Sequence, residues 1–386
     1  MRIANYIKGD RVVWMVIIML SVISLLSVYS SSQSLAFSGA TNRTIYLLIK
    51  QLFILGLGIA AIVVTHLVPY KAFSRLSQLL MFVVVPLLFL TLIFGRGNAD
   101  ANRWLEMPGG FTFQTSDMAK IILVVFVARI LSHKQGKLGK MKEGYIPIII
   151  STGLVCGLIL PANFSTAALL FITVLVLMFI GRMPFKYILL TIVGAAVAFS
   201  IYLLAAQAFD LQGRHGTWKS RVDSFLNKSD ESVNNYQVNR AKVAIVNGGI
   251  VGKGPGNSVQ KEKLPQANSD FIYAIIIEEY GLLGGLVVMF LYLWLLFRTA
   301  LIVRKSSRTF PAFAAIGLTL LIVFQAILNM GVAVNLVPVT GQTLPYISSG
   351  GSSVLFTSIA LGIILSASWG IDEEIKKAEK AETKDE

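Results

Sequence analysis

A chain of 386 residues in which 55% are hydrophobic and 14% charged, with a mean hydropathy of +0.71, does not describe a soluble protein and is read as an integral membrane protein. Its net charge of +14 is expected to serve membrane orientation; no nucleic-acid-binding motif accompanies it, so a nucleic-acid partner is excluded. One cysteine, Cys156, and three scattered histidines, His66, His133 and His215, give neither a disulfide framework nor a zinc ligand set.

The N-terminal segment MRIANYIKGDRVVW is too polar, and the apolar run after it too long, for a cleaved signal peptide, so the first helix is expected to stay as an anchor. Crossing a bilayer core takes about 20 helical residues. Runs of that kind lie at 12–31, 45–68, 73–95, 117–132, 146–161, 165–180, 186–208, 271–298, 310–335 and 351–370. The expectation is an all-α polytopic membrane protein of ten transmembrane helices. It forms a single domain over 1–386, with a long extracytoplasmic loop, 209–270, between helices 7 and 8 and a charged cytoplasmic tail, 371–386. The fifth and sixth runs are short and meet at Pro161–Ser165; read as one broken hairpin they would leave nine or eight spans. With both termini cytoplasmic, the inner segments collect Arg2, Lys8, Arg11, Lys71, Arg75, Arg129, Lys134, Lys137, Lys140, Lys142, Arg182, Lys186, Arg298, Arg304, Lys305 and Arg308, while the short outer loops are nearly free of such charge. That is the positive-inside pattern.

Two outer segments stand apart from the apolar helices, one around 95–120 and one from Phe209 to Asp270. In the second, the polar middle from Gly213 to Asn239 reads as a flexible arch. Val238, Ala241, Ala244 and Ile245 then fall at helical spacing and predict a short surface helix. From Asn247 to Gly285 a glycine-rich basic loop runs straight into an apolar helix carrying Asp270 at its start and Glu278 and Glu279 deeper. Acids at such depth are costly unless paired or hydrated, which marks them as functional candidates. Asp270 also suits a plain helix N-cap. Glu278 and Glu279 diverge by about 100° on a helix, so one of them is expected to brace the bundle. Lys120 follows Asp117 by three residues and suits an ion pair. Trp104, beside Arg103, suits an interfacial anchor as well as a sugar platform. The glycines of 248–256 make either a backbone nest for phosphate or a turn. Gln325 and Asn329 read as interhelical glue, and the small residues of 341–353 as close packing at the entry to the last helix.

Several blocks occur together: Asn102-Arg103-Trp104 with Phe113-Gln114-Thr115-Ser116-Asp117 and Lys120; Gly252-Lys253-Gly254-Pro255-Gly256-Asn257-Ser258; Leu264-Pro265 through Asp270-Phe271-Ile272; Glu278-Glu279-Tyr280-Gly281; and Leu344 through Ser353. In this order on ten spans they resemble the SEDS family of bacterial wall polymerases over nearly the whole chain. The Gly-Pro-Gly-Asn-Ser block is more similar to the FtsW branch than to RodA.

The resemblance implies an inverting peptidoglycan glycosyltransferase of the bacterial cytoplasmic membrane that polymerises lipid II at the division septum on the extracytoplasmic side. It further implies Asp270 as general base, Arg103, Lys120, Lys253, Lys261 and Lys263 as cations for the departing diphosphate, and Trp104, Gln114, Ser348 and Ser352 as substrate-binding residues. Asp117, Glu278 and Glu279 would support them. A divalent cation, Mg or Mn, is the one cofactor contemplated; a class B penicillin-binding protein and division-complex activators are the implied partners. A lipid II flippase and a non-catalytic division scaffold are the rival readings. The chain departs from the family pattern at Thr115-Ser116-Asp117, at Gln266, and at Asn163, where relatives often carry an aspartate that an amide cannot replace as a base.

Overall fold

The structure, a computed structural model, describes residues 8–32, 41–95, 103–106, 112–208, 215–226, 233–264 and 267–385. Twelve α-helices are described: α1 (Arg11–Ser32), α2 (Thr41–Leu67), α3 (Tyr70–Phe94), α4 (Thr115–His133), α5 (Ile146–Ile159), α6 (Phe164–Ile180), α7 (Phe185–Ala208), α8 (His215–Leu226), α9 (Val233–Gly248), α10 (Ile272–Arg304), α11 (Thr309–Ala333) and α12 (Gly351–Asp385). Each of the ten apolar runs is helical, and eight helical segments are long and apolar enough to cross a membrane. The other two are α4, which carries Asp117, Lys120 and Arg129, and α6, which has 17 residues. The protein is a multi-pass membrane protein built as a helical bundle.

With no hydrophobic force to drive helices together in lipid, close contact rests on packing and polar links. α11 is buried over most of its length and packs against α4, α6, α10 and α12. α2 and α12 meet where a Cβ on Gly58 would lie 2.7 Å from Ser358 Oγ, and one on Gly362 the same distance from Thr65 Cβ. One end of the bundle gathers charge. Arg298 pairs with Asp10 at 2.7 Å, Arg308 with Glu374 at 3.6 Å, and Arg129 donates to Ser74 O.

α10 is broken at Gly281 (φ 70, ψ −176). A helix interrupted within a membrane must satisfy its freed backbone groups inside the protein, and the loop after α9 does this. Lys253 and Gly254 N–H donate to the carbonyls of Glu278 and Glu279, while Leu282 and Leu283 N–H donate to Gly249 O and Ile250 O. The fit leaves no room for a side chain at the crossing: a Cβ on Gly281 would overlap backbone atoms of Ile250 and Val251.

Three expectations change. The arch expected between Gly213 and Asn239 contains α8, although residues 209–214 and 227–232 lie outside the described residues. A two-stranded antiparallel hairpin, β1 (Trp104–Glu106) and β2 (Thr112–Gln114), precedes α4 and sets Trp104 opposite Gln114. The tail continues the last helix as α12 as far as Asp385, its first turns held by Glu374, which accepts from Tyr70 Oη at 2.7 Å.

Candidate active site

Asp270 occupies a turn ahead of α10, whose N-cap is Phe271 and carries no side-chain cap bond, so the capping reading of Asp270 is set aside. Its turn is stapled to the segment leading into α12. Ser349 N–H donates to Asn268 O (2.9 Å) and Ser348 Oγ to Ser269 O (2.6 Å). Asn329 Nδ2, on α11, donates to both Asp270 O (2.8 Å) and Gln342 O (2.7 Å). Gln342 Nε2 in turn donates to Thr166 Oγ1 of α6 at 2.7 Å. Tyr346, buried at φ 67, lies in the same segment, a left-handed backbone that a bulky residue adopts only where its surroundings impose it. Asn329, read from sequence as helix glue, thus holds the turn that carries the acid, while Gln325 Nε2 donates to Thr343 O in the segment leading into α12.

The Asp270 side chain faces Gly341 together with Arg221 of α8. A Cβ placed on Gly341 would lie 3.6 Å from Asp270 Oδ2 and 3.9 Å from Arg221 Nη1. Burial raises the proton affinity of Asp270 above that of an ordinary aspartate; the Arg221 charge and a hydrogen bond from Ser269 offset part of the rise. A carboxylate so adjusted, beside a glycine that leaves space, suits a proton acceptor. Arg221 was not anticipated. The signal for its helix was present as Trp218, Val222, Phe225 and Leu226 at helical spacing, masked by the polar residues between them.

The other anticipated cations are engaged elsewhere. Lys253 Nζ lies 3.3 Å from Glu278, which is fully buried and also accepts from Ser258 Oγ and from the N–H groups of Val259 and Gln260. Glu279, equally buried, accepts from Ser30 Oγ of α1. Lys261 Nζ donates to Ser30 O and Gly256 O. Glu278, Glu279, Lys253 and Lys261 therefore form a brace joining α1, α10 and the glycine loop. Within 248–256 the N–H groups of Lys253 and Gly254 serve the freed α10 carbonyls and that of Gly252 closes a turn on Gly248 O, which matches the turn of the two readings.

Lys120 pairs with Asp117 at 2.9 Å and donates to Gln325 Oε1 at 3.0 Å beside a cavity of about 20 Å³, room for one water. Asp117 Oδ2 is buried there without a partner. Arg103 Nε donates to Ala162 O, and Gln114 Nε2 to Ser116 Oγ. Ser352 Oγ is buried and unpartnered near the start of α12. Lys263 is exposed, and Pro265 and Gln266 lie outside the described residues. Asn163 caps α6, accepting from Thr166 N–H, a task an aspartate performs equally well.

Among the described residues no three His, Cys, Asp or Glu side chains stand close enough to hold a metal ion. At Asp270 the neighbouring charge is a guanidinium, so the donor set there fits a divalent cation poorly.

A family model described as cell cycle protein, named for FtsW, RodA and SpoVE, matches residues 10–371. The chain belongs to this family. Within the FtsW/RodA/SpoVE family it is 32% identical over 374 residues to the "Probable peptidoglycan glycosyltransferase FtsW" of Trichlorobacter lovleyi, covering 96% of this chain and 95% of that protein. It is 31% identical over 372 residues to the protein of the same description from Bacillus subtilis (94% and 91%). It is 30% identical over 367 residues to stage V sporulation protein E of that organism (93% and 96%). Among solved structures of the same fold are a chain of a peptidoglycan synthase complex that coordinates polymerization and crosslinking (TM-score 0.71, 24% identity, 93% of this chain and 97% of that one) and rod shape determining protein RodA of Thermus thermophilus (0.67, 22%, 94% and 97%).

Proposed function

We propose that this protein is a peptidoglycan glycosyltransferase that polymerises lipid II into glycan strands at the division septum, with Asp270 as general base. The observation carrying the reading is a half-buried carboxylate whose proton affinity burial raises, facing Gly341 beside a guanidinium. Family membership and the FtsW descriptions of the relatives supply the reaction class. The ten apolar helices cross the bacterial cytoplasmic membrane as ten spans with both termini cytoplasmic. The 209–270 segment then lies outside, between spans seven and eight, and the site faces the extracytoplasmic side. The arginine and lysine distribution supports that orientation.

In the reaction, the 4-hydroxyl oxygen of the acceptor sugar forms a bond to the donor's anomeric carbon as its proton passes to Asp270. The bond from that carbon to the diphosphate oxygen breaks, and its electron pair leaves with the lipid diphosphate. One carboxyl suffices, because a diphosphate departs as a stable anion where cations meet its charge, without the second acid a glycosidase needs. A cavity of about 580 Å³ between α5, α6 and α7, lined mostly by apolar and small side chains from Ile149 and Gly153 to Phe199 and Tyr202, suits a polyprenyl chain. Phe164 at its rim lies within one turn of Thr166, the residue bonded to Gln342 next to Gly341. A class B penicillin-binding protein crosslinks the product, and division-complex activators act on the pair.

The test is purified protein reconstituted with that transpeptidase and labelled lipid II. Glycan strands are expected from wild type and none from Asp270→Asn. Movement of lipid II between leaflets without chain growth would establish the flippase instead, and neither activity would establish the scaffold.

A further inference from the structure

Arg221 stands apart from the other cations of this end of the bundle. Lys120 and Lys261 are each held by two protein oxygens, Lys253 by the fully buried Glu278 carboxylate, and Arg103 by the Ala162 carbonyl. Among the described residues, Arg221 donates Nη1 to one backbone carbonyl, Val339 O at 3.1 Å, while its Nε is buried with no partner. A guanidinium carries five N–H donors in a planar fork, and a buried donor left unsatisfied is costly unless something visits it. Burial opposes the Arg221 charge and Asp270 supports it. Asp270 in turn meets no charged group besides Arg221 among the described residues.

We infer that Arg221 is the ligand of the departing diphosphate, carried to Asp270 by α8, and that binding of the lipid diphosphate moves its fork from Val339 O to phosphate oxygens. The inference rests on the glycosyltransferase reading and names the group that receives the leaving charge. The chemistry fits. The planar fork matches two phosphate oxygens at once, which an ammonium does not, and a guanidinium placed where negative charge accumulates favours bond breaking over ground-state binding. The carrier fits as well. Among the described side chains of α8, Ser224 is buried and Arg221 half-buried, whereas Val222 and Leu226 are 46% and 68% exposed. Gly341, facing both side chains, leaves the intervening space open.

The experiment measures binding of undecaprenyl diphosphate to the full chain in nanodiscs, alongside lipid II polymerisation, for wild type, Arg221→Gln, Arg221→Lys and Asp270→Asn. Gln keeps a donor for Val339 O but lacks charge and fork. Its affinity is expected to fall roughly 10- to 100-fold, the weight of a charge-assisted hydrogen bond or two, with polymerisation falling at least as far. Lys should recover part of the affinity. Asp270→Asn should bind as tightly as wild type, or tighter, while making no glycan. A measurement free of any variant is hydrogen exchange of the 215–226 amides in wild type, expected to slow when undecaprenyl diphosphate is added. Unchanged affinity in Arg221→Gln, or unchanged exchange in α8 on saturation, overturns the inference. If either occurs while Asp270→Asn is inactive, the glycosyltransferase reading stands without it. An active Asp270→Asn overturns the reading itself.

Discussion

Substituting Gly281 by alanine attacks the crossing on which the site is built. At φ 70 and ψ −176 the residue occupies backbone space open essentially to glycine alone, and a Cβ would meet the carbonyl group of Ile250 and come within 2.5 Å of Val251 C. Neither neighbour is a side chain that can swing away. Backbone strain of about 1–3 kcal/mol and overpacking of about 1–3 kcal/mol together give a loss of roughly 2–6 kcal/mol, set against a total stability on the order of 5–15 kcal/mol. The crossing also holds four backbone hydrogen bonds between 249–254 and 278–283, and these fail together if the loop lifts. Thermal denaturation of the purified protein in nanodiscs, followed by tryptophan fluorescence, reads the loss directly. The control is Gly153→Ala on α5, where nothing lies within 4 Å of the new methyl and a helical alanine is expected to stabilise by about 0.5–1 kcal/mol. Equal melting of Gly281→Ala and wild type would refute the argument, because a rigid overlap of backbone with Cβ cannot be silent.

Lys253→Met strands the fully buried Glu278 carboxylate. Since the lysine side chain is 33% exposed, solvent screening limits the cost to about 1–2 kcal/mol. Adding Glu278→Gln should restore most of it, and a denaturation double-mutant cycle that finds the two changes additive would count against the brace. Asn163→Asp should leave stability unchanged and Asn163→Ala should cost about 1 kcal/mol, as expected of a cap; an aspartate that alters metal dependence would reassign the position. The acidic limb of the polymerisation rate should lie above the ordinary aspartate range, because burial raises the proton affinity of Asp270 and the ionised form is the base. Arg221→Gln removes a charge that lowers that affinity, so the limb should shift to higher pH. A pH–rate profile unaltered by the substitution would detach Arg221 from Asp270.

The ten helices were legible because each centres on a long apolar stretch, even where α4 and α10 carry charged residues within it, and composition alone required a membrane. Asp270 was legible for a related reason: an acid at the junction of a polar loop and an apolar helix demands an explanation. The hairpin was not, since Trp104–Glu106 and Thr112–Gln114 are three residues each, too short for any alternation to register. Lys253 and Lys261 were assigned to phosphate by the family resemblance, yet the loop that carries them packs on α10 at Gly281 and brings them to Glu278, Ser30 and Gly256. Arg221 lies about fifty residues from Asp270 in a stretch dominated by polar residues. Its position is set by tertiary contact with Val339 and Gly341, which periodicity does not report.

The most direct trial of the central claim is single-turnover glycan synthesis by the Asp270→Asn protein, with lipid II binding recorded on the same sample. The account predicts wild-type binding and loss of bond formation by two orders of magnitude or more, on the order of what a general base contributes. Bond formation at the wild-type rate by that variant would contradict it.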